Sequence, residues 1–494
     1  MSSLRRTLSS GTAFTLFSFV VVQVISLATS VIVARLLGRQ DLGVLALITQ
    51  LSATVVPLAV LGMGTAVTSL IPSYTKGRRP DELPVLISST FVTILVAGTI
   101  VSAAYFGLSF FLAEAYRVPE LALFTQISSL LIVFDALLAL AAAVVQGFQR
   151  IKELAFIGLA ARAATVPLMF GMTLLWGLLG TVIAGAIWQL ANAVIYFRAV
   201  RTVLRSEKVE VSWFRFDRRA AGTALRFGLP LFASFVILRP ALLFQTSFLA
   251  LYVGYAELGL FRVAWSLYRI ALLLPSSLSV PLLPAISEMY ATGSVERTRG
   301  QLTAVLRMTA FLSLPLTLSI GFGSTMIIGF LYGPEYIAAA PLVFIISIVA
   351  FVDTVGTVLE NTLLATRRTR SVFLLTIMQA CVITVASLLL ITSFGLLGIG
   401  LAMLLNSVLY VGVVSTYLLK KGELSFQGIR RALFLSVIAF AGAAAVVGLI
   451  GLGNVVSSLT FLAVVVLVEV RLLPRNDRRM LVDVLVDLVK RVRS

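Results

Sequence analysis

Residues 121–147 read LALFTQISSLLIVFDALLALAAAVVQG, and Asp135 is the only charged side chain among them. A helix of roughly 20 apolar residues is long enough to cross the hydrocarbon core of a bilayer. This run is apolar on every side of such a helix, so it offers no face that would suit water. These residues therefore predict a membrane-spanning helix.

The rest of the chain has the same character. Of its 494 residues, 59% are hydrophobic and only 12% are charged, and the mean hydropathy is +1.05. Soluble globular proteins carry about 25% charged residues. Half that fraction is too little to cover a water-exposed surface of this size, so lipid must surround most of the molecule.

Thirteen further apolar runs predict an all-α polytopic membrane protein with about fourteen transmembrane helices. The predicted spans are 11–35, 44–71, 84–112, 121–147, 153–175, 179–199, 222–252, 257–285, 301–331, 338–365, 371–392, 396–419, 431–450 and 455–473.

The positions of Lys and Arg predict the orientation, because short cytoplasmic loops are enriched in them. With the N-terminus inside, thirty of the 39 Lys and Arg residues lie in cytoplasmic segments, six lie within spans and three lie in outer turns. We therefore expect a multi-pass protein of the plasma (inner) membrane with both termini cytoplasmic. The same asymmetry accounts for the net charge of +18. Charges scattered over many short loops do not favour nucleic-acid binding.

The turn after the first span recurs after the seventh. Residues 34–43 read ARLLGRQDLG and residues 250–259 read ALYVGYAELG, so matching positions are 216 residues apart. Gly38 thus corresponds to Gly254, and Gly43 corresponds to Gly259. Because six spans separate the two copies, the repeats run parallel through the membrane. Paired repeats with a site at their interface are a transporter design.

This repeat predicts paired lobes, and the family resemblance given below implies that they are two six-helix lobes followed by two C-terminal helices. The predicted parts are an N-terminal lobe of spans one to six (1–199), a basic cytoplasmic linker (200–221), a C-terminal lobe of spans seven to twelve (222–419), two additional spans (420–473) and an amphipathic basic cytoplasmic tail (474–494).

Four short motifs occur in order along the chain besides residues 34–43. They are ELGLF at 257–261, PLLPAISEMY at 281–290, YGPEY at 332–336 and NTLLAT at 361–366. With these motifs the whole chain resembles the polysaccharide-transporter branch of the multidrug/oligosaccharidyl-lipid/polysaccharide exporter superfamily, the O-antigen-type, lipid-linked oligosaccharide flippases.

The resemblance implies alternating access and translocation of a polyprenyl-(pyro)phosphate-linked oligosaccharide from the cytoplasmic to the outer leaflet, for cell-surface polysaccharide or glycoprotein biosynthesis. The implied partners are the lipid-linked saccharide, membrane lipids and polysaccharide-assembly enzymes, with no cofactor. One position departs from the pattern. Relatives often carry an acid in the seventh span where this chain has Gln245, so a role for that acid does not carry over.

Arginines within the membrane are the candidate substrate ligands, because a phosphate needs fixed positive charge with planar, multi-donor geometry. All six basic residues within spans are arginines, and a buried charge there predicts function. Each candidate is either a phosphate ligand or a structural partner of a carboxylate, and Arg35 could instead clamp the first outer turn. Arg226 and Arg307 lie near inner ends, where they would snorkel. The candidates are Arg239, Arg269, Arg262, Arg162 and Arg35.

Three acids within spans could carry a coupling proton or Na⁺, or could form salt bridges with those arginines. They are Asp135 in span four and, on one face of span ten, Asp353 and Glu360. No metal site is predicted, since the chain has no histidine and Cys381 is its single cysteine.

Three other functions compete with the flippase. A cation-coupled multidrug or small-molecule antiporter of the same superfamily would need acids in its cavity, whereas this chain has an excess of arginine within its spans. A membrane-bound saccharide polymerase or ligase would need larger outer loops. An ATP-driven pump would need a phosphate-binding loop of the GxxxxGK[ST] kind, which the sequence lacks. We therefore expect a secondary transporter and not an enzyme.

Overall fold

The computed structural model describes residues 10–76, 80–272, 295–366 and 368–422. All regular elements in these ranges are helical. In chain order they are α1 (Ser10–Val60), α2 (Met63–Lys76), a short 3₁₀ helix (Pro80–Glu82), α3 (Leu83–Gly107), α4 (Ser109–Ala115), α5 (Leu121–Gly147), α6 (Ile151–Ser206), α7 (Arg218–Tyr252), α8 (Tyr255–Ala271), α9 (Val295–Phe322), α10 (Ser324–Leu331), a second 3₁₀ helix (Pro334–Ala339), α11 (Ala340–Ala365), α12 (Thr369–Phe394) and α13 (Leu396–Lys420).

The two longest helices each consist of two helices joined at a kink. In α1 the backbone leaves helical geometry at Gly38, where φ is 74°. In α6 it does so at Trp176 and Gly177, and φ at Gly177 is 55°. Both breaks occur where the sequence predicts a turn between consecutive spans. Glycine allows them because it adopts positive φ without the steric cost of a Cβ.

The described helices match the first seven and the ninth to twelfth predicted spans and confirm the all-α polytopic fold of about fourteen helices. The eighth predicted span is described only as far as residue 272. Eight helices are long and apolar enough to cross a membrane, and a ninth crossing arises if the bent pair α9–α10 is one span. Two of the eight, Val20–Val60 and Arg162–Ser206, contain 41 and 45 residues. At 1.5 Å per residue, each is about twice the length that one crossing needs. Spans thirteen and fourteen, the tail and residues 281–290 lie outside the described residues.

The chain forms two compact units. The first unit comprises Val24–Gly259 and Thr376–Thr384, and the second comprises the described residues of Met1–Gln23, Leu260–Leu375 and Val385–Ser494. In the first unit α5 packs against α2, α3 and α6, and α7 packs against α2 and α3. In the second unit α11 packs between α9 and α13. The lobe boundaries drawn from the sequence stay a prediction.

Within the first unit the two copies of the repeat motif contact each other reciprocally. A Cβ added at Gly43 would overlap the backbone carbonyl of Tyr255, at 2.7 Å from its carbon. A Cβ added at Gly259 would overlap the carbonyl of Arg39, at 3.0 Å from its carbon. Since Arg39 and Tyr255 are also equivalent positions, the contact has the local two-fold symmetry that parallel repeats predict. We call these four residues the glycine contact.

Two contacts each join turns that the predicted order of spans puts on one side of the membrane. The Tyr255 hydroxyl donates to the Tyr116 carbonyl at 2.5 Å, which joins two predicted outer turns. On the opposite side, Arg150 forms an ion pair with Glu207 at 2.9 Å, which joins two predicted inner segments. The inner linker is also held by Trp213, whose ring packs 5.3 Å from Phe91.

Candidate functional site

One face of α8 carries two of the predicted arginines. Arg262 and Arg269 are seven residues apart, which is about two helical turns, so they share a face. Trp265 lies between them on the same face. The Arg269 side chain is exposed and donates to Gln23 Oε1 at 3.5 Å, a long hydrogen bond to a neutral group. We call Arg262, Trp265 and Arg269 the α8 stripe.

Aromatic rings hold the middle of this stripe in place. The Trp265 ring stacks on the Tyr268 ring with centroids 4.7 Å apart and planes inclined by 22°. The centroid of the largely buried Phe261 ring is 5.9 Å from that of Trp265. A hydrogen bond also holds α8 in place, because Ser266 Oγ and the Tyr332 hydroxyl are 2.5 Å apart.

The two acids on α11 are bound by neutral hydroxyl groups. The Tyr268 hydroxyl donates to Asp353 Oδ2 at 2.5 Å, and Ser407 also hydrogen bonds to this carboxyl group. The Glu360 carboxyl group is hydrogen bonded by Tyr410. Tyr268 thus links the α11 carboxyl pair to the α8 stripe within the second unit.

Arg239 lies in the first unit, in the middle of α7 and directly before Pro240. The helix continues through this proline, which cannot donate a backbone hydrogen bond. The Arg239 side chain is half-buried. Among the described residues it has no hydrogen-bond or ion-pair partner. No described carboxyl group compensates its charge. An unpaired arginine within a predicted span is a candidate ligand for an anion.

The remaining candidates lie on separate helices of the first unit. Asp135 on α5 accepts a hydrogen bond from the Gln189 amide on α6. Arg162 is exposed on α6 and interacts electrostatically with Tyr196. Arg35 is exposed on α1, one turn before the break at Gly38. Gln245, the position that departs from the resemblance, is buried in α7.

The second unit therefore contains two pairs, Arg262 with Arg269 on α8 and Asp353 with Glu360 on α11, and Tyr268 connects α8 to Asp353. Among the described residues, Arg35, Arg162, Arg239 and Asp135 lie on separate helices of the first unit. Sequence reasoning named the charged groups and missed their hydroxyl and amide partners. The missed residues are Tyr268, Ser407, Tyr410, Gln189 and Trp265. Tyr268 could have been suspected from the sequence, because it directly precedes the candidate Arg269. Ser407 and Tyr410 had none, since only packing brings α13 to α11.

A family model described as "Polysaccharide biosynthesis protein" matches residues 32–341, which is more than half of the chain. The chain belongs to this family. Among curated proteins, this chain is similar to the probable flippase AglR of Haloferax volcanii, with 27% identity over 169 residues. That match covers 33% of this chain and 35% of the relative, so it spans about a third of the relative's length.

The fold is similar to those of solved membrane transporters. Lipid II flippase MurJ, in an inward closed conformation, matches with a TM-score of 0.73 and 15% identity, over 93% of this chain and 96% of that one. An inward-facing multidrug resistance transporter of the MATE family in the MOP superfamily matches with a TM-score of 0.70 and 14% identity, over 83% and 98%. The chain therefore has the fold of these transporters.

Proposed function

We propose that this protein is a flippase that moves a polyprenyl-(pyro)phosphate-linked oligosaccharide from the cytoplasmic to the outer leaflet by alternating access. The observation that carries the proposal is the α8 stripe, with two arginines on one face of a helix in the predicted eighth span, in a member of the polysaccharide biosynthesis family. The name of the relative AglR, a probable flippase, points the same way. A secondary transporter of this kind performs no covalent chemistry on its cargo.

Arginine suits the phosphate part of such a substrate. A guanidinium group binds phosphate oxygens through two parallel N–H groups, and it stays charged in every environment that a membrane helix provides. The current partner of Arg269 is a neutral amide at 3.5 Å. A phosphate would replace this long hydrogen bond with shorter, charge-assisted ones. In the first unit, Arg239 is a separate candidate cation for a phosphate.

The membrane potential favours this direction of transport. Movement of an anion out of a negative cytoplasm lowers its free energy by about 2.3 kcal/mol per charge per 100 mV, which is about 5 kcal/mol for two charges at 100 mV. The reaction therefore does not require an obligatory ion gradient. Asp353 and Glu360 remain candidates for an additional coupling proton or Na⁺, and their neutral hydroxyl partners are equally consistent with a structural role.

The proposed function requires a particular membrane and orientation. We place it in the plasma (inner) membrane with both termini cytoplasmic, on the strength of the Lys and Arg asymmetry. There it would receive its substrate from the enzymes that build the lipid-linked saccharide and deliver it to those that use it outside. Membrane lipids surround the helices.

A ligand-stabilisation assay tests the substrate class. The purified full-length chain in detergent is heated with a polyprenyl-pyrophosphate-linked saccharide or with an organic cation, and the melting temperature is recorded. We expect stabilisation by the anionic lipid only, since a ligand bound to the folded state raises stability. Stabilisation by organic cations alone would instead indicate the antiporter, for which the α11 carboxyl pair would be the cation site.

A further inference from the structure

We propose that Trp265 is a stacking platform for the saccharide next to the phosphate. This inference rests on the proposed flippase function and adds the part of the site that recognises sugar. The Trp265 side chain is 38% exposed. Trp265 and Arg269 are the two residues of α8 that are exposed.

The depth of Trp265 in the membrane separates it from ordinary interfacial tryptophans. It lies ten residues from the start of α8 at Tyr255, which is about 15 Å along a helix. That distance is about half the thickness of the hydrocarbon core, roughly 30 Å. Tryptophans that anchor membrane proteins gather instead at the two interfaces with water.

The neighbours on the same face indicate what Trp265 contacts. Arg262 is three residues before it and Arg269 is four residues after it, so all three side chains are adjacent on the helix surface. Arg269 is exposed, and an exposed arginine at this depth would not face lipid, because a charge in hydrocarbon is costly. The stripe that contains Trp265 therefore faces a polar, water-accessible space.

The ring is also preorganised. It stacks on Tyr268 at 4.7 Å, and the Tyr268 hydroxyl is held by Asp353 at 2.5 Å. A fixed ring loses little conformational freedom when a ligand binds. Its exposed face carries the negative part of the aromatic quadrupole. This face attracts the polarised C–H groups on the flat side of a pyranose, and the indole N–H can donate to a hydroxyl.

The spacing fits a glycosylated phosphate. Residues one turn apart on a helix have Cβ atoms about 5–6 Å apart. A phosphate at Arg269 would therefore place its attached sugar within reach of Trp265. Arg269 would recognise the feature common to all polyprenyl phosphates, and Trp265 would distinguish lipids that carry a sugar from those that do not.

Two lipids that differ only in the sugar test the platform. The full-length chain in nanodiscs is titrated with a polyprenyl pyrophosphate bearing a disaccharide and with the same lipid lacking it. We compare the native chain, Trp265→Leu, Trp265→Phe and the control Trp176→Leu, which removes another exposed tryptophan. We expect Trp265→Leu to weaken binding of the glycosylated lipid about tenfold, the scale of one aromatic contact, and to leave the bare lipid unchanged. Trp265→Phe should retain most of the affinity, and Trp176→Leu should match the native chain.

Each other result overturns a defined part of the account. Equal weakening for both lipids would make Trp265 a structural residue, and no weakening for either would remove it from the site. In both cases the flippase proposal would stand, because the native chain still binds the glycosylated lipid. A native chain that binds neither lipid would overturn the proposed function and the platform with it.

Discussion

Arg269 lies in the last turn of α8, exposed and hydrogen bonded to a neutral glutamine. We expect Arg269→Gln to weaken binding of the bare polyprenyl pyrophosphate about tenfold or more, since a hydrogen bond to a charged group contributes about 1.5–3 kcal/mol. Titration in nanodiscs measures the effect. Arg226→Gln serves as the control, because Arg226 is an exposed arginine near the inner end of α7. Equal losses in the two variants would mean that the effect is general electrostatics and not a site.

Tyr268 connects the two halves of the second-unit site, and its hydroxyl is the part that matters for Asp353. Tyr268→Phe keeps the ring that stacks on Trp265 and removes a donor from a carboxyl group that lies between helices. We expect a loss of about 1–3 kcal/mol in stability, seen as a lower melting temperature in detergent. Tyr252→Phe, at a residue with 58% exposure, should change little. A Tyr268→Phe variant as stable as the native chain would show that Asp353 is satisfied without it.

The sequence predicts a single functional residue only where placing that residue in a membrane helix has a large free-energy cost. An arginine or an aspartate in an apolar run is visible in the sequence because it is expensive there. The partners of Asp353 and Glu360 were predicted to be arginines as one alternative, and the described partners are hydroxyl groups of Tyr268, Ser407 and Tyr410. Hydroxyl residues are common in membrane helices and cost little, so the sequence does not distinguish the ones that bind carboxyl groups.

At the scale of elements, the glycine contact shows why the repeat motif contains glycine at its last position. The helices that begin after the two outer turns approach so closely that each Cα lies against the opposite backbone carbonyl. Leu42 and Leu258, also equivalent positions, are buried beside it with 1% and 0% exposure. The offset of 216 residues could be found in the sequence. The reciprocal packing could not, because an offset gives no distance between the copies.

The glycine contact predicts matched effects for two substitutions. Gly43→Ala and Gly259→Ala should each destabilise the protein by about 1–3 kcal/mol, because a methyl group would overlap backbone that cannot move aside like a side chain. Gly171→Ala, at a helical glycine with no neighbouring atom within 4 Å, should be neutral or stabilising by up to about 1 kcal/mol. Thermal unfolding in detergent compares the three. If all three behave alike, the close approach is absent in solution.

The boundaries between consecutive spans could be predicted where a glycine lies between two apolar runs. Predicted turns between spans one and two and between spans five and six occur at Gly38 and at Trp176–Gly177. The backbone remains nearly continuous there, so that two spans join as one kinked helix. Run length alone does not distinguish such a kink from a loop, because both interrupt the helix over one or two residues.

At the scale of the whole molecule, the charge asymmetry and the α8 stripe would favour the same direction of transport in the proposed flippase. Thirty Lys and Arg residues on the predicted inner side attract the anionic headgroups of the cytoplasmic leaflet, where the substrate would be made. The potential then assists the outward movement of the phosphate. We expect translocation in proteoliposomes to accelerate with an applied inside-negative potential and to slow when the potential is reversed. A rate that ignores both the potential and the ion gradients, and yet concentrates substrate, would contradict this energetic account.

The central claim is that the protein moves an anionic, lipid-linked saccharide across the bilayer. The direct measurement is translocation of a fluorescent polyprenyl-pyrophosphate saccharide in proteoliposomes that contain the native chain, Arg269→Gln or no protein. We expect transport by the native chain, slower transport by Arg269→Gln, and none without protein. Vesicles in which the native chain leaves the lipid-linked saccharide in its original leaflet, while it exchanges organic cations for protons or Na⁺, would contradict the claim and identify an antiporter.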